Sequence, residues 1–247
     1  MTAFAPFDLS VFFLGALVAA FVAGLAGFAF GMVAAAIWLH ALSPVQSTVL
    51  IVVYALLVQG YAVWKLRRAI NLRRLIPFVA GTALGVPLGA FILEWATAEQ
   101  LRFAVGVLLI VFAGYNLMRP ALPQIRRAAT ELDSGVGVLN GIIVASTGLG
   151  GILPNIWCSM RGWSRDEQRA VFQPTAVATF VLTLLWFGGT GVLTMDAVQL
   201  FLLGLPMLAL GTWLGWKAYG HLDETQFRKT VLYVLLLSGI TLVFGSR

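Results

Sequence analysis

Residues 140–174 read NGIIVASTGLGGILPNIWCSMRGWSRDEQRAVFQP. The stretch opens as an apolar helix, breaks at Ser146-Thr147-Gly148-Leu149-Gly150-Gly151, restarts near Pro154 and ends in a charged loop at Arg161. A glycine-rich break inside an apolar run of membrane depth leaves backbone N–H and C=O groups without helical partners. Hydrocarbon offers them none, so the break has to sit in protein or against a polar cavity. That makes it the best candidate in the chain for a substrate site. Close helix packing through the glycines is the competing reading.

The surrounding composition places that break in a bilayer. Of 247 residues, 60% are hydrophobic and 11% charged, against about 25% charged in ordinary globular domains. Mean hydropathy is +0.92. The apolar runs have helix-spanning length and lack the alternation of a membrane β-barrel. The chain therefore reads as an all-α polytopic membrane protein. The net charge of +6 does not point to nucleic acid, because the basic residues fall in short loops between apolar runs, where topology accounts for them. One cysteine, Cys158, excludes an intramolecular disulfide and a cysteine-based zinc site. The N-terminal run has no basic flank and is too long for the h-region of a signal peptide.

Working outward, residues 9–39 form an apolar run of 31 residues with glycines at 24, 27 and 31. A single helix of that length would extend about 46 Å, against a hydrocarbon core of about 30 Å. The run is either one strongly tilted span or two pieces broken at Gly27-Phe28-Ala29-Phe30-Gly31. Spans follow at 43–64, 75–93 and 97–118, then a polar stretch at 119–133 with Pro120 and Pro123. The broken segment occupies 135–160, and further spans run at 170–187, 197–216 and 227–244.

The order of elements repeats: a glycine-rich break, a polar turn, one span, then a pair. Gly81-Thr82-x-Leu84-Gly85 resembles Gly211-Thr212-x-Leu214-Gly215. Gln100-Leu101-Arg102 resembles Gln226-Phe227-Arg228, and His40-Ala41-Leu42-Ser43 stands where Arg161-Gly162-Trp163-Ser164 does. Repeats of this kind argue for a duplicated architecture, with an N-terminal repeat at 8–119, a cytoplasmic linker at 120–133 and a C-terminal repeat at 134–247. Charge then sets orientation. Fourteen of the sixteen Lys and Arg lie in four loops, at 65–74, 119–127, 161–169 and 217–229. They share the cytoplasmic side only if the second broken segment enters and returns on one face. A re-entrant segment plus three spans is an odd number of crossings, so the two repeats are expected to be inverted. Both termini are then periplasmic.

No enzyme constellation is present. His40 and His221 stand at span ends, no intramembrane serine has a facing histidine, and no cluster of His, Cys or carboxylates has metal-ligand spacing. Acids and bases lie in loops or near span ends, which disfavours a buried carboxylate proton relay. What remains at depth is neutral and polar: Tyr54, Gln59, Asn140, Ser146, Thr147, Asn155, Gln173 and Thr175. Half-helix N-termini favour anions. Each amide could equally serve only as an interhelical hydrogen bond. Trp38, Trp157 and Trp163 suit interfacial belts, and Trp157 also stands close enough to the break to line a cavity.

Gly148-Leu149-Gly150-Gly151, Pro154, Arg161-Gly162-Trp163-Ser164 and Gln168-Arg169-Ala170-Val171-Phe172-Gln173-Pro174 resemble the TauE/SafE family of sulfite exporters, also called the toluene-sulfonate uptake permease group. The first-half run Ala23-Gly24-Leu25-Ala26-Gly27-Phe28-Ala29-Phe30-Gly31 resembles that family's N-terminal glycine-rich motif. This chain departs from it at Leu153-Pro154-Asn155, where members often carry Gly-Pro or Pro-Pro. The resemblance implies a secondary transporter of the inner membrane for a small sulfur-containing anion such as sulfite or an organosulfonate. An uncoupled anion channel and a non-transporting structural subunit are the alternatives. The substrate-binding residues expected are Gly27, Phe28, Gly31, Thr147, Gly148, Gly150, Gly151, Asn155, Trp157 and Gln173, meeting near mid-membrane. Neither a cofactor nor a resident metal is expected. The coupling ion (H+ or Na+) and self-association are left open.

Overall fold

The local sequence starts most helices by side-chain capping. A computed structural model describes residues 6–26, 29–67, 70–118, 125, 130–219 and 223–245. Among them are ten helices: α1 Pro6–Ala26, α2 Phe30–Trp38, α3 Pro44–Leu66, α4 Leu72–Trp95, α5 Ala98–Met118, α6 Thr130–Thr147, α7 Ile152–Met160, α8 Arg165–Thr190, α9 Met195–Ala218 and α10 Glu224–Phe244. Ser43 and Gln46 cap α3 reciprocally, as Ser164 and Glu167 cap α8. Thr97 and Gln100 do the same for α5, and the Asp223 carboxylate accepts the first N–H groups of α10. Each cap satisfies backbone donors that the first turn leaves without helical acceptors. Ser43 and Ser164 each stand in the turn that follows a short helix, α2 and α7 respectively.

Among the described residues seven helices are long and apolar enough to cross a membrane: α1, α3, α4, α5, α8, α9 and α10. The first glycine-rich run is two pieces rather than one tilted helix, since α1 ends at Ala26 and α2 starts at Phe30. Gly27 and Phe28, two of the expected site residues, lie outside the described residues. α6 begins at Thr130, inside the stretch read as linker.

By its own packing the chain forms two compact units, and each draws on both halves of the sequence. The first takes Met1–Tyr54, Ala96–Arg119 and Leu193–Arg247; the second takes Ala55–Trp95 and Pro120–Val192. The division falls within α3.

In the first unit α1 packs along α9 and α5 pairs with α10. α2 folds back beside α1: the Trp38 indole N–H donates to the Phe12 carbonyl at 3.0 Å, and a methyl on Gly15 would strike the Trp38 ring. The return is held by stacked and edge-on rings. Trp38 lies 5.4 Å from Phe12, 6.3 Å from Phe30 and 6.0 Å from Tyr54. The Tyr54 hydroxyl donates to the Phe201 carbonyl at 2.7 Å. Trp38 is wholly buried, so it is a core residue and not part of an interfacial belt. Its N–H is spent on Phe12, and its ring fills the space α2 must close.

In the second unit α6 packs along α4, and α8 covers α4, α6 and α7. The repeated Gly-Thr-x-Leu-Gly sequences make equivalent contacts in the two units. Methyl groups on Gly81 and Gly85 of α4 would meet the Ser134 and Val138 carbonyls of α6, and methyl groups on Gly211 and Gly215 of α9 would meet the Leu17 and Phe21 carbonyls of α1. Reciprocally, Gly141 of α6 lies against the Thr82 carbonyl and Gly24 of α1 against the Thr212 carbonyl, each 2.6 Å from where a Cβ would stand. Without Cβ atoms the helix axes approach closely, which is the main source of attraction between helices where lipid removes the hydrophobic drive. The first piece of each broken segment is thus clasped by a helix from the other half of the sequence. The units differ in one respect. Gly24 precedes the Ala29 cap by five residues, whereas Gly141 precedes the Gly151 cap by ten, so the second break lies more than a turn further from its clasp.

Candidate functional site

Left-handed caps make both breaks. Ala29 starts α2 at φ 73° and Gly151 starts α7 at φ 81°, and neither N-cap supplies a side-chain hydrogen bond. Gly148 (φ 76°) turns the chain out of α6. Glycine enters this region freely, while an L side chain crowds its own backbone there. Ala29 is the one non-glycine residue with positive φ among those described.

α7 folds back beside α6. The Trp157 indole N–H donates to Asp133 Oδ1 at 2.7 Å, and Arg161 faces Asp133 Oδ2 at 3.6 Å. The end of α7 therefore stands level with the start of α6, as a segment that enters and returns requires.

Between these ends the break is tied by an amide. Asn140 is buried on α6. Its Nδ2 donates to Thr179 Oγ1 of α8 at 2.9 Å, and its Oδ1 accepts the Gly151 N–H at 3.3 Å. Thr179 Oγ1 in turn donates to the Thr175 carbonyl at 2.7 Å. Gly148 N–H closes on Val144 O and Leu149 N–H on Thr147 Oγ1. The first intrahelical bond of α7 runs from Asn155 N to Gly151 O at 3.1 Å. Ile152 and Leu153 carry the helix-starting N–H groups that have no intrahelical acceptor, and Pro154 has no N–H to contribute. Neither donates to a described residue.

The expected site residues separate by what their polar groups already do. Thr147 is spent: its hydroxyl donates to the Ile143 carbonyl at 2.6 Å and accepts from Leu149. The Trp157 N–H is spent on Asp133, leaving only its ring for a ligand. Gly150 is a packing residue, since a Cβ there would come 2.6 Å from the Phe180 ring. Gly148 and Gly151 shape the turn. Gly31 is the second residue of α2 and half-buried. Asn155 and Gln173 keep capacity. The Asn155 side chain is half-buried and bonds to no described residue. Gln173 Oε1 is buried with no hydrogen-bond partner among the described residues. An unmatched buried acceptor of this kind costs about 1–3 kcal/mol, and half a turn of the carboxamide would present its NH2 instead.

Sequence reasoning placed Asn140 at depth but not at the break. Its partner Gly151 is eleven positions on, and only the fold-back of α7 brings them together. A cation also stands near the first break. Arg228, early in α10, lines a small cavity with Val22, Ala29, Phe112 and Leu235, and its guanidinium donates to Asn116 Oδ1 at 2.7 Å. That amends the expectation that only neutral groups approach the breaks. His40 stands in the turn after α2. Partial desolvation, and then the charge of Arg102, pull its pKa below the usual imidazole value, so it is neutral at pH 7. Among the described residues no group of His, Cys, Asp and Glu could hold a metal ion.

Seven long apolar helices and two helical hairpins, each broken at a left-handed cap, define a multi-pass membrane protein of the broken-helix kind that transporters use. The chain belongs to the Sulfite exporter TauE/SafE family, whose model matches residues 12–242. Membership makes it a membrane transporter of the sulfite or related-anion exporter type. No curated protein and no solved structure matches the chain.

Proposed function

We propose that this protein is a secondary transporter of the inner membrane that binds a small sulfur-containing anion, sulfite or an organosulfonate, at the N-terminus of α7. One observation carries the reading: α7 starts at a left-handed glycine with no side-chain cap, leaving the Ile152 and Leu153 N–H groups as donors. The positive end of the α7 dipole adds to them. Gln173 and Asn155 are the amides with unused capacity to complete the shell.

Such a site holds charge by dipoles and hydrogen bonds. These attract less strongly than a buried lysine or arginine, so the anion can leave on the far side. The two halves act as inverted repeats in this reading. The equivalent caps at Ser43 and Ser164, and the matching clasps at Gly81–Gly85 and Gly211–Gly215, support it. H+ and Na+ are both open as the coupling ion.

Counterflow in proteoliposomes tests the proposal. Vesicles loaded with unlabelled sulfite should transiently accumulate labelled sulfite, and taurine should compete if sulfonates share the site. Equilibration without accumulation would make the protein an uncoupled pore. Absence of anion flux and of anion-induced stabilisation would reduce the breaks to packing.

A further inference from the structure

The two hairpins are held shut by different chemistry. α2 is fixed to α1 by a cluster of buried rings, Phe12, Phe30, Trp38 and Tyr54. The base of α7 is fixed to α6 by one carboxylate. Asp133, in the first turn of α6, is only 6% exposed. Its two oxygens divide the work: Oδ1 accepts the Trp157 indole N–H at 2.7 Å and Oδ2 faces the Arg161 guanidinium at 3.6 Å. Trp157 and Arg161 are four residues apart, so both arms grip the same face of α7.

Around this grip the base of the hairpin is closed by further contacts. Arg161 lies 5.3 Å from the centre of the Trp163 ring, and Arg74 of α4 lies 4.7 Å from it. Arg74 also pairs with Glu167 of α8 at 2.8 Å. The Met160 carbonyl at the end of α7 accepts from Ile125 N–H of the linker at 2.7 Å. Cys158, fully buried, packs against Phe78 and Val171 in the same layer. The tip of α7 has no comparable hold. Within the break it is tied by the 3.3 Å bond from Gly151 N–H to Asn140.

We infer that Asp133 is a positioning residue for transport: by its two-point grip on Trp157 and Arg161 it sets the axis of α7, and so the placing of the Ile152 and Leu153 N–H groups. The inference rests on the reading of the α7 N-terminus as the anion site. Trp157 stands about 9 Å along the helix from Gly151, so a tilt at the base is carried to the tip by a rigid two-turn rod. Removing the carboxylate frees the indole and takes away the countercharge that the mostly buried Arg161 guanidinium faces at 3.6 Å, which weakens the hold of that side chain at the base of α7.

Two readouts test this on the purified full-length protein: the affinity for sulfite and for taurine from thermal-shift titration, and the rate at which N-ethylmaleimide alkylates Cys158, the only cysteine. Asp133→Ala should weaken anion binding and speed alkylation, each by at least about tenfold. Asp133→Asn keeps an acceptor for Trp157 and should fall between. Asp133→Glu should restore both toward wild type. Glu167→Gln, which breaks only the outer pair with Arg74, should change neither by more than about twofold. If Asp133→Ala does not fold, Trp157→Phe and Arg161→Gln each remove one arm, and each should shift both readouts part of the way. Wild-type alkylation in Asp133→Ala, or in both single-arm variants, overturns the inference. So does faster alkylation with unchanged anion affinity, which would make Asp133 a brace with no bearing on the site. If no anion stabilises the wild type, the proposed function fails, and the alkylation rates still decide whether Asp133 holds α7.

Discussion

The Oδ1 of Asn140 accepts the Gly151 N–H at 3.3 Å while its Nδ2 donates to Thr179 at 2.9 Å. A single buried amide thereby joins α6, α8 and the left-handed cap of α7. In the first half Ala23 stands one position before the clasp glycine Gly24, as Asn140 stands before Gly141, and a methyl side chain can make no such bond. The second break is the one whose geometry a polar side chain sets.

Asn140→Ala should lower stability by about 1–3 kcal/mol, because it deletes two neutral hydrogen bonds and leaves the Thr179 hydroxyl and Gly151 N–H without that partner. Asn140→Asp keeps an acceptor for Gly151 but adds a negative charge at the helix start. It should weaken anion binding further than Asn140→Ala does, with recovery on acidification as the carboxylate is neutralised. Thermal unfolding and anion titration at two pH values check both. Equal anion affinity in the two variants would detach Asn140 from the site.

Gly148→Ala and Gly151→Ala each force an L side chain into φ near 80°, at about 1–2 kcal/mol apiece. Both should impair transport at normal expression. Ala29→Gly is the mirror experiment. Relief at φ 73° outweighs the extra unfolded-state entropy of glycine, so the melting temperature should rise. A fall would mean that the Ala29 methyl contributes packing worth more than the strain.

Asn155→Ala and Gln173→Ala should each weaken anion binding by about 0.5–1.5 kcal/mol if each loses one neutral hydrogen bond to the ligand. Gln173→Leu removes a buried acceptor that has no partner, so the anion-free protein should be no less stable while binding still falls. Calorimetry on the double variant decides the matter, and unchanged affinity would move the site elsewhere.

Topology is tested with single cysteines in a Cys158→Ala background. Glu131, Asp166 and Thr225 are exposed and lie by the loops expected on the cytoplasmic side, whereas Thr190 is exposed at the end of α8. In intact cells an impermeant thiol reagent should label a cysteine at 190 and spare the other three. Labelling at 166 with protection at 131 would mean that the α6–α7 segment crosses the membrane instead of returning.

Much of the helical plan was legible in the chain itself. Apolar runs of spanning length and glycines that interrupt an apolar helix are local signals, because each acts within a turn or two of backbone. The break at 148–151 could be read that way, and so could the repeated Gly-Thr-x-Leu-Gly. The role of those motifs could not. That Gly81 and Gly85 clasp α6, and Gly211 and Gly215 clasp α1, depends on which helices meet.

Composition and pattern by themselves determined that this is a helical, multi-pass membrane protein with a glycine-broken segment in its second half, since hydrocarbon tolerates few other solutions for a chain so apolar; that the first glycine-rich run is also two pieces was decided only by the fold. Tertiary structure alone decided how the polar groups at the second break are used. Thr147 and Trp157 look like free donors in the sequence, yet the fold commits them to Ile143 and Asp133. Asn140 and Asp133 look like an interhelical amide and a linker acid, yet the fold-back of α7 brings Gly151 to the first and Arg161 to the second. The reason is one of range. A hydrogen bond forms only within about 3.5 Å and an ion pair within about 4 Å, and residues eleven or twenty-eight positions apart come that close only when the chain between them has doubled back.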